Sequence, residues 1–125
     1  MLAVFGVPFA HPDGAYAAIQ VAFELKDAIQ RYNRGPKPAR IPDLRLGIGI
    51  ASGEVIAGNV GSFQRMEYTV IGDAVNFASR IQEKTKDFNV EILVSESVME
   101  SLKGRQNFRK MLPVFIRGKA GEVIL

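Results

Sequence analysis

Residues 65–80 read RMEYTVIGDAVNFASR, an extended stretch that runs through Gly72 and Asp73 directly into a helix. Asp73 is a favourable N-cap residue, and no proline interrupts the helix predicted after it. At about 100° per residue, one helix face carries the side chains predicted to enter the core: Ala74, Phe77, Ala78, Ile81, Thr85 and Phe88. Asn76 and Arg80 lie one turn apart on the opposite face, directed away from that core.

Asn76 and Arg80 are the first candidates for a functional site. A carboxamide and a planar guanidinium fork, held side by side on a rigid helix, suit a charged phosphate ester better than they suit packing. Two polar residues on an outer helix face are, taken alone, most often simply solvated. The interpretation of this pair therefore depends on the sequence around it.

The composition predicts one domain over residues 1–125, since the chain has 125 residues, 47% of them hydrophobic and 23% charged. No apolar run approaches the ~20 residues that span a bilayer, so we expect membrane contact only through domains not present here. The chain has no cysteine, which suits a reducing cytoplasm, where we expect the protein to act. The net charge of +3 suits a polyphosphate substrate. The sequence has no basic stripe with interleaved aromatics, so we expect no nucleic-acid partner.

Helices and strands alternate along the chain, which predicts an α+β fold, an α/β sandwich with helices against a sheet. Residues 11–14 are predicted to open the first helix, which has a buried stripe from Ala15 to Tyr32, and an exposed proline-rich connection is predicted at 34–43. Ser95 is predicted to cap a short helix that carries Val98 and Leu102. The predicted strands lie at 3–7, 44–51, 55–57, 66–71 and 90–94, with a final hairpin formed by 111–116 and 122–125.

Two glycines lie within the strand predicted at 44–51. Gly47 and Gly49 share one face of that strand, where glycine usually marks the close approach of another backbone or of a ligand. With Gly53 they resemble a dinucleotide-binding loop only superficially, because that motif needs a helix directly after its glycines and extended residues follow here. His11 is the only histidine, so the sequence excludes clusters of histidines as metal ligands.

The segment EYTVIGDAVNFASR at 67–80 resembles the signature of class III nucleotidyl cyclases, the adenylate and guanylate cyclase catalytic domain. The resemblance extends to 3–8, 46–61 and 116–121, in the family's order, and is strongest to bacterial-type adenylate cyclases. It implies a ferredoxin-like βαββαβ cyclase homology domain that lacks its first strand and the helices after it. The chain is thus expected to be a C-terminal part of such a domain.

The resemblance also implies a role for four residues. Asn76 would orient the ribose, and Arg80 would stabilise charge on the phosphates in the transition state. Thr69 would contact the purine, and threonine there is typical of a bacterial-type subset of adenylate cyclases. Lys119 would bind the outer phosphates. The plain alternatives are β propensity for Thr69 and a solvated loop position for Lys119.

The metal site of the family falls outside this sequence. Class III cyclases hold two divalent ions, Mg²⁺ or Mn²⁺, on two aspartates, and by the register of the resemblance the second would fall immediately before Met1. None of the four aspartates considered as substitutes sits at a metal position of the pattern: Asp13, Asp43, Asp73 and Asp87. We therefore expect no appreciable cyclase activity from the isolated chain.

The resemblance leads to two functional hypotheses. In the first, the chain is part of an adenylate cyclase that converts ATP to cyclic AMP and pyrophosphate in signal transduction. Its site would form in a homodimer, where one cyclase domain supplies the metals and the other supplies Asn76 and Arg80. In the second, the chain is a non-enzymatic cyclase-homology module for dimerisation or nucleotide binding. A nucleic-acid-binding sandwich is a distant third.

Overall fold

The computed structural model describes residues 1–6, 13–36, 41–60, 67–102, 114–115 and 122–123. Three helices and six strands lie within these ranges. In chain order they are α1 (Gly14–Arg34), β1 (Ile48–Ile50), β2 (Ile56–Val60), β3 (Glu67–Ile71), α2 (Asp73–Phe88), β4 (Ile92–Val94), α3 (Glu96–Ser101), β5 (Val114–Phe115) and β6 (Glu122–Val123). Among the described helices, none is long and apolar enough to cross a bilayer.

The strands pair two by two. β1 and β4 are parallel, with Ile48 opposite Ile92. The Ile48 N–H donates to the Glu91 carbonyl at 2.8 Å and the Ser95 N–H donates to the Ile50 carbonyl at 2.9 Å, which extends this ladder at both ends. β2 and β3 form an antiparallel pair, as do β5 and β6, which confirms the pairing of the predicted final hairpin.

The β1–β4 sheet carries a separate apolar core on each face. On one face, α1 and α3 bury the cluster formed by Ile19, Ala22, Ile50, Val98 and Leu102. On the other face, α2 packs Ile81 against Leu93, with Phe77 and Phe88 beside them. Helices therefore cover both faces of a small sheet, and the predicted α+β class is confirmed.

Helix α2 approaches β1 at backbone contact distance, and the two strand glycines permit it. A Cβ at Gly49 would overlap the Ala78 carbonyl oxygen and would lie 2.5 Å from the Gln82 backbone nitrogen. A Cβ at Gly47 would lie 2.6 Å from the Thr85 hydroxyl oxygen. The predicted close approach is confirmed, and the partner of these glycines is the helix itself.

The predicted N-cap of α2 is wrong by one residue. Gly72 is the N-cap, and Asp73 is the first helical residue, so its carboxylate adds negative charge to the first turn. A Cβ at Gly72 would lie 2.8 Å from the Glu54 carbonyl oxygen, which requires a residue without a side chain at this junction. The helix ends at Phe88, as predicted, because Asn89 adopts the left-handed conformation with φ 53°.

Two strands are shorter than predicted. The strand predicted over 44–51 is paired only at Ile48–Ile50, and the one over 90–94 only at Ile92–Val94. The Asn33 side chain holds the backbone of Leu44 instead: its amide donates to the Leu44 carbonyl at 2.9 Å and its oxygen accepts from the Leu44 N–H at 2.8 Å. The backbone groups of Leu44 thus bond to a side chain of α1 rather than to a neighbouring strand.

Two further predictions near the N-terminus are wrong. Residues 3–6 form no strand, since none of the described strands pairs with them and Gly6 has a φ of 98° that breaks an extended run. Tyr32, predicted to be buried, is 45% exposed. The α1 residues that join this core cluster all lie between 15 and 22, so Tyr32 lies nearly three turns beyond the part of the helix that packs on it.

Ser95 caps α3 as predicted. Its side-chain oxygen accepts a hydrogen bond from the Val98 N–H at 3.4 Å, and Ser95 is itself buried. Val98 and Leu102 are almost fully buried against α1 and β1. This cap therefore fixes the start of a helix that closes one of the two cores.

We expect Gly49→Ala to lower the free energy of unfolding by about 1–3 kcal/mol or more, because the added methyl overlaps backbone atoms of α2. Gly58→Ala in β2 is the matched control, since a Cβ there meets no atom within 4 Å. Urea denaturation followed by circular dichroism measures both. Equal unfolding midpoints for the two variants would contradict the close packing of α2 on β1.

Candidate functional site

Helix α2 carries the first two candidate residues on its outward face. Asn76 is exposed, and the Arg80 side chain is 38% exposed. Ile81 and Thr85 are buried on the face that packs against the sheet. The structure thus holds a carboxamide and a guanidinium one turn apart on a helix whose other face is fixed.

The Arg80 guanidinium has a partner on the same helix that the sequence analysis missed. Its Nη1 donates to the Glu83 carboxylate at 3.2 Å, and the Glu83 side chain is 58% exposed. Lys84 and Asp87 form a second ion pair at 3.4 Å with the same spacing of three residues. That spacing, in which side chains on a helix are neighbours, was the signal that could have identified Glu83.

Thr69 lies on β3, three residues before the Gly72 cap of α2. Its backbone lies opposite Gly58 in the hairpin, and β3 ends at Ile71, directly before the Gly72 cap of α2. The side chain of Thr69 lies outside the part of the structure that is described. Lys119 also lies outside the described residues, so its predicted role, like that of the other three, stays a prediction.

The described residues contain no group of three or more histidine, cysteine, aspartate or glutamate side chains that could hold a metal ion. Asp73 is exposed at the first turn of α2, and Asp87 is paired with Lys84. The part of the chain that the structure describes therefore does not fit the two-metal site that the resemblance implies. Asn76 and Arg80 instead provide a neutral and a positive donor, which suit the recognition of a phosphate ester.

The sequence matches a protein family along almost its entire length. Residues 1–124 match the model of the adenylate and guanylate cyclase catalytic domain. The chain belongs to this family. The resemblance carried by residues 67–80 is thereby confirmed.

A curated relative and two solved cyclase structures resemble the chain. Adenylate cyclase 1 of Rhizobium meliloti strain 1021 is 28% identical over 120 residues, which is 96% of this chain and 18% of that protein. The guanylyl cyclase Cya2 superposes with a TM-score of 0.81 at 29% identity, over 96% of this chain and 60% of that one. The guanylate cyclase domain of RhGC from Catenaria anguillulae, in complex with GTP, gives 0.79 at 27% identity, over 96% and 62%.

The cyclase chain thus spans less than a fifth of the length of this curated relative and about three fifths of the two solved chains. Adenylate and guanylate cyclases both occur among its relatives. One of them is solved with a nucleoside triphosphate bound. The family membership therefore connects the fold to nucleotide chemistry, and the individual roles depend on the residues of the site.

Proposed function

We propose that this chain is part of an adenylate cyclase catalytic domain, which converts ATP to cyclic AMP and pyrophosphate in cytoplasmic signal transduction. The observation that carries the proposal is the pair of Asn76 and Arg80 on the outward face of α2, in a chain that belongs to the cyclase family. Both side chains are accessible to a ligand, and the helix beneath them is anchored through Ile81.

In this reaction the ribose 3′-hydroxyl loses its proton to solvent, its oxygen forms a bond to the α-phosphorus of ATP, and the bond from that phosphorus to the leaving pyrophosphate breaks. An in-line displacement of this kind depends on alignment and on stabilisation of phosphate charge. The Asn76 carboxamide can both donate and accept, so it would hold the ribose in the orientation for attack. The Arg80 guanidinium would donate to the phosphate oxygens as charge moves toward the leaving group.

We also propose that the reaction depends on Mg²⁺ or Mn²⁺, as the family resemblance implies. The metal ligands would lie outside the described residues. In this proposal Asn76 and Arg80 contact the nucleotide rather than the metal ions. We propose that the remaining ligands come from a second copy of the complete domain, so that the site forms between two subunits.

An exposed apolar pair supports the dimer. Ile56 and Ile71 lie opposite each other in the β2–β3 hairpin and are 77% and 58% exposed. Large apolar side chains grouped at the surface favour contact with another protein surface. Ile71 is also two residues before Asp73, so a subunit that covers this pair would lie beside the start of α2.

We propose ATP rather than GTP as the substrate, with Thr69 in the base pocket. A threonine hydroxyl can accept a hydrogen bond from the 6-amino group of adenine. Guanylate cyclases of this family typically place a glutamate and a cysteine around the base, and this chain has no cysteine. A curated relative is named an adenylate cyclase, which agrees with this choice.

In the complete protein that carries this sequence, we expect Arg80→Ala to lower kcat by about 10²–10³-fold, with a smaller change in KM for ATP. The reason is that the phosphate charge that Arg80 stabilises develops mostly in the transition state. Arg80→Lys should recover only part of the rate because it loses the guanidinium fork. Steady-state kinetics of cyclic AMP formation measure all three proteins.

Lys84→Ala is the matched control for Arg80→Ala. It removes a cation one turn further along α2, in an equivalent ion pair, and should leave kcat unchanged. An Arg80→Ala protein as active as the wild type would refute the proposed role. A wild-type protein that binds ATP without forming cyclic AMP would favour the non-enzymatic module.

For Thr69, we expect Thr69→Ala to reduce the preference for ATP over GTP, because the hydroxyl that meets adenine is removed. Thr69→Ser keeps a hydroxyl and should keep the preference. The ratio of kcat/KM values for the two nucleotides measures it. A ratio that is the same in all three proteins would remove Thr69 from the base pocket.

For the dimer, we expect Ile56→Lys to raise the dimer dissociation constant at least about tenfold, equivalent to 1.4 kcal/mol, and to lower specific activity at dilute protein concentration. The residue is highly exposed, so the folded subunit should tolerate the change. Leu44→Lys is the control at another exposed apolar position, 47% exposed. Sedimentation velocity that finds both variants equally dimeric would place the interface elsewhere.

A further inference from the structure

The Arg80 guanidinium bonds to the carboxylate of Glu83 on the same helix: its Nη1 donates to the Glu83 Oε1 at 3.2 Å. Both side chains are part-exposed, at 38% for Arg80 and 58% for Glu83. A surface ion pair of this kind contributes little to stability, with a median of about 0–1 kcal/mol. Any larger role of Glu83 must therefore lie in what it does to the position of Arg80.

The chemistry of the guanidinium makes that role specific. The group has five N–H donors in a planar fork, and Glu83 accepts from Nη1. Donors on the other nitrogens stay available to phosphate oxygens while one corner of the fork is held. An arginine side chain is long and has many rotamers, so a contact at one corner reduces the number of orientations that the fork samples.

The same helix contains a matched pair for comparison. Lys84 and Asp87 have the same spacing, a similar distance of 3.4 Å and similar exposures of 34% and 65%. The two pairs should therefore make similar contributions to the stability of α2. They differ in that Lys84 has a rotating ammonium rather than a fork and carries no role in the proposed reaction.

We propose that Glu83 is a positioning residue for the cyclase reaction, which holds the Arg80 fork in the orientation that meets the nucleotide phosphates. The inference rests on the proposed function of Arg80. Glu83 itself does not touch the substrate, since a carboxylate beside a polyphosphate would repel it. Glu83 orients the Arg80 guanidinium, and its negative charge near the phosphates weakens their binding.

That combination predicts a characteristic kinetic signature. In the complete protein, Glu83→Ala should lower kcat by roughly 3–10-fold, which is less than the loss on removing such a donor outright. KM for ATP should stay the same or fall, because a repelling charge has also been removed. Glu83→Gln keeps an acceptor oxygen for Nη1, so it should recover most of the lost kcat.

Asp87→Ala is the control, because it breaks the equivalent pair and should leave kcat unchanged. A second measurement reports on position directly: the order parameter of the Arg80 Nε–H, from ¹⁵N relaxation, should fall in Glu83→Ala and stay constant in Asp87→Ala. A purely structural role would lower the melting temperature of both variants alike and would move neither kcat nor the Arg80 order parameter.

The outcomes separate this inference from the proposed function. If Arg80→Ala loses activity while Glu83→Ala keeps wild-type kcat and Arg80 order, only the positioning role is refuted. If Glu83→Gln is as slow as Glu83→Ala, charge rather than orientation is responsible, and the positioning role is again refuted. If Arg80→Ala is fully active, the proposed function of Arg80 fails first.

Discussion

The close contact between the backbone of α2 and β1 is the constraint on which the rest of the structure depends. Gly49 has no side chain, so the Ala78 carbonyl and the Gln82 backbone can lie directly on the strand. Because the contact is between backbones, it fixes both the height and the rotation of the helix above the sheet. Ile81 and Thr85 then enter the core, and the opposite face, with Asn76 and Arg80, is directed outward.

The polar core residue Thr85 shows how this contact is completed. Its hydroxyl donates to the Gln82 carbonyl at 2.7 Å, so a buried donor is satisfied within its own helix. The same hydroxyl occupies the space that a side chain at Gly47 would need. Ile81, fully buried beside it, contributes about 1.5–3 kcal/mol of apolar burial. Two glycines, a threonine and an isoleucine thus form one interlocked set.

The sequence predicted α2 well because its signals are local and repeated over four turns. The apolar period identified the buried face, and the glycines in the strand identified a close approach. The predicted N-cap at Asp73 was wrong because the deciding fact is tertiary: the carbonyl of Glu54, eighteen residues upstream of Gly72, leaves no room for a side chain at Gly72. The predicted start of the strand at 44–51 was wrong for a similar reason, since the Asn33 side chain binds the backbone of Leu44. In the site, periodicity identified the face of Asn76 and Arg80, whereas the Glu83 contact depends on side-chain rotamers that periodicity does not specify.

Under the proposed function, one physical explanation accounts for both the exposure of Arg80 and the exposure of the apolar pair Ile56 and Ile71 in the β2–β3 hairpin. Arg80 is 38% exposed, and in water its interaction with a phosphate is weakened by solvent. The same interaction is several times stronger once water is excluded, so an efficient site needs a second surface over α2. Ile56 and Ile71 lie at the end of the hairpin that leads into α2, and their burial would favour the approach of that surface. In a cyclase built this way, association of the subunits and stabilisation of the transition state depend on each other, because covering the apolar pair also brings Arg80 into a less polar environment.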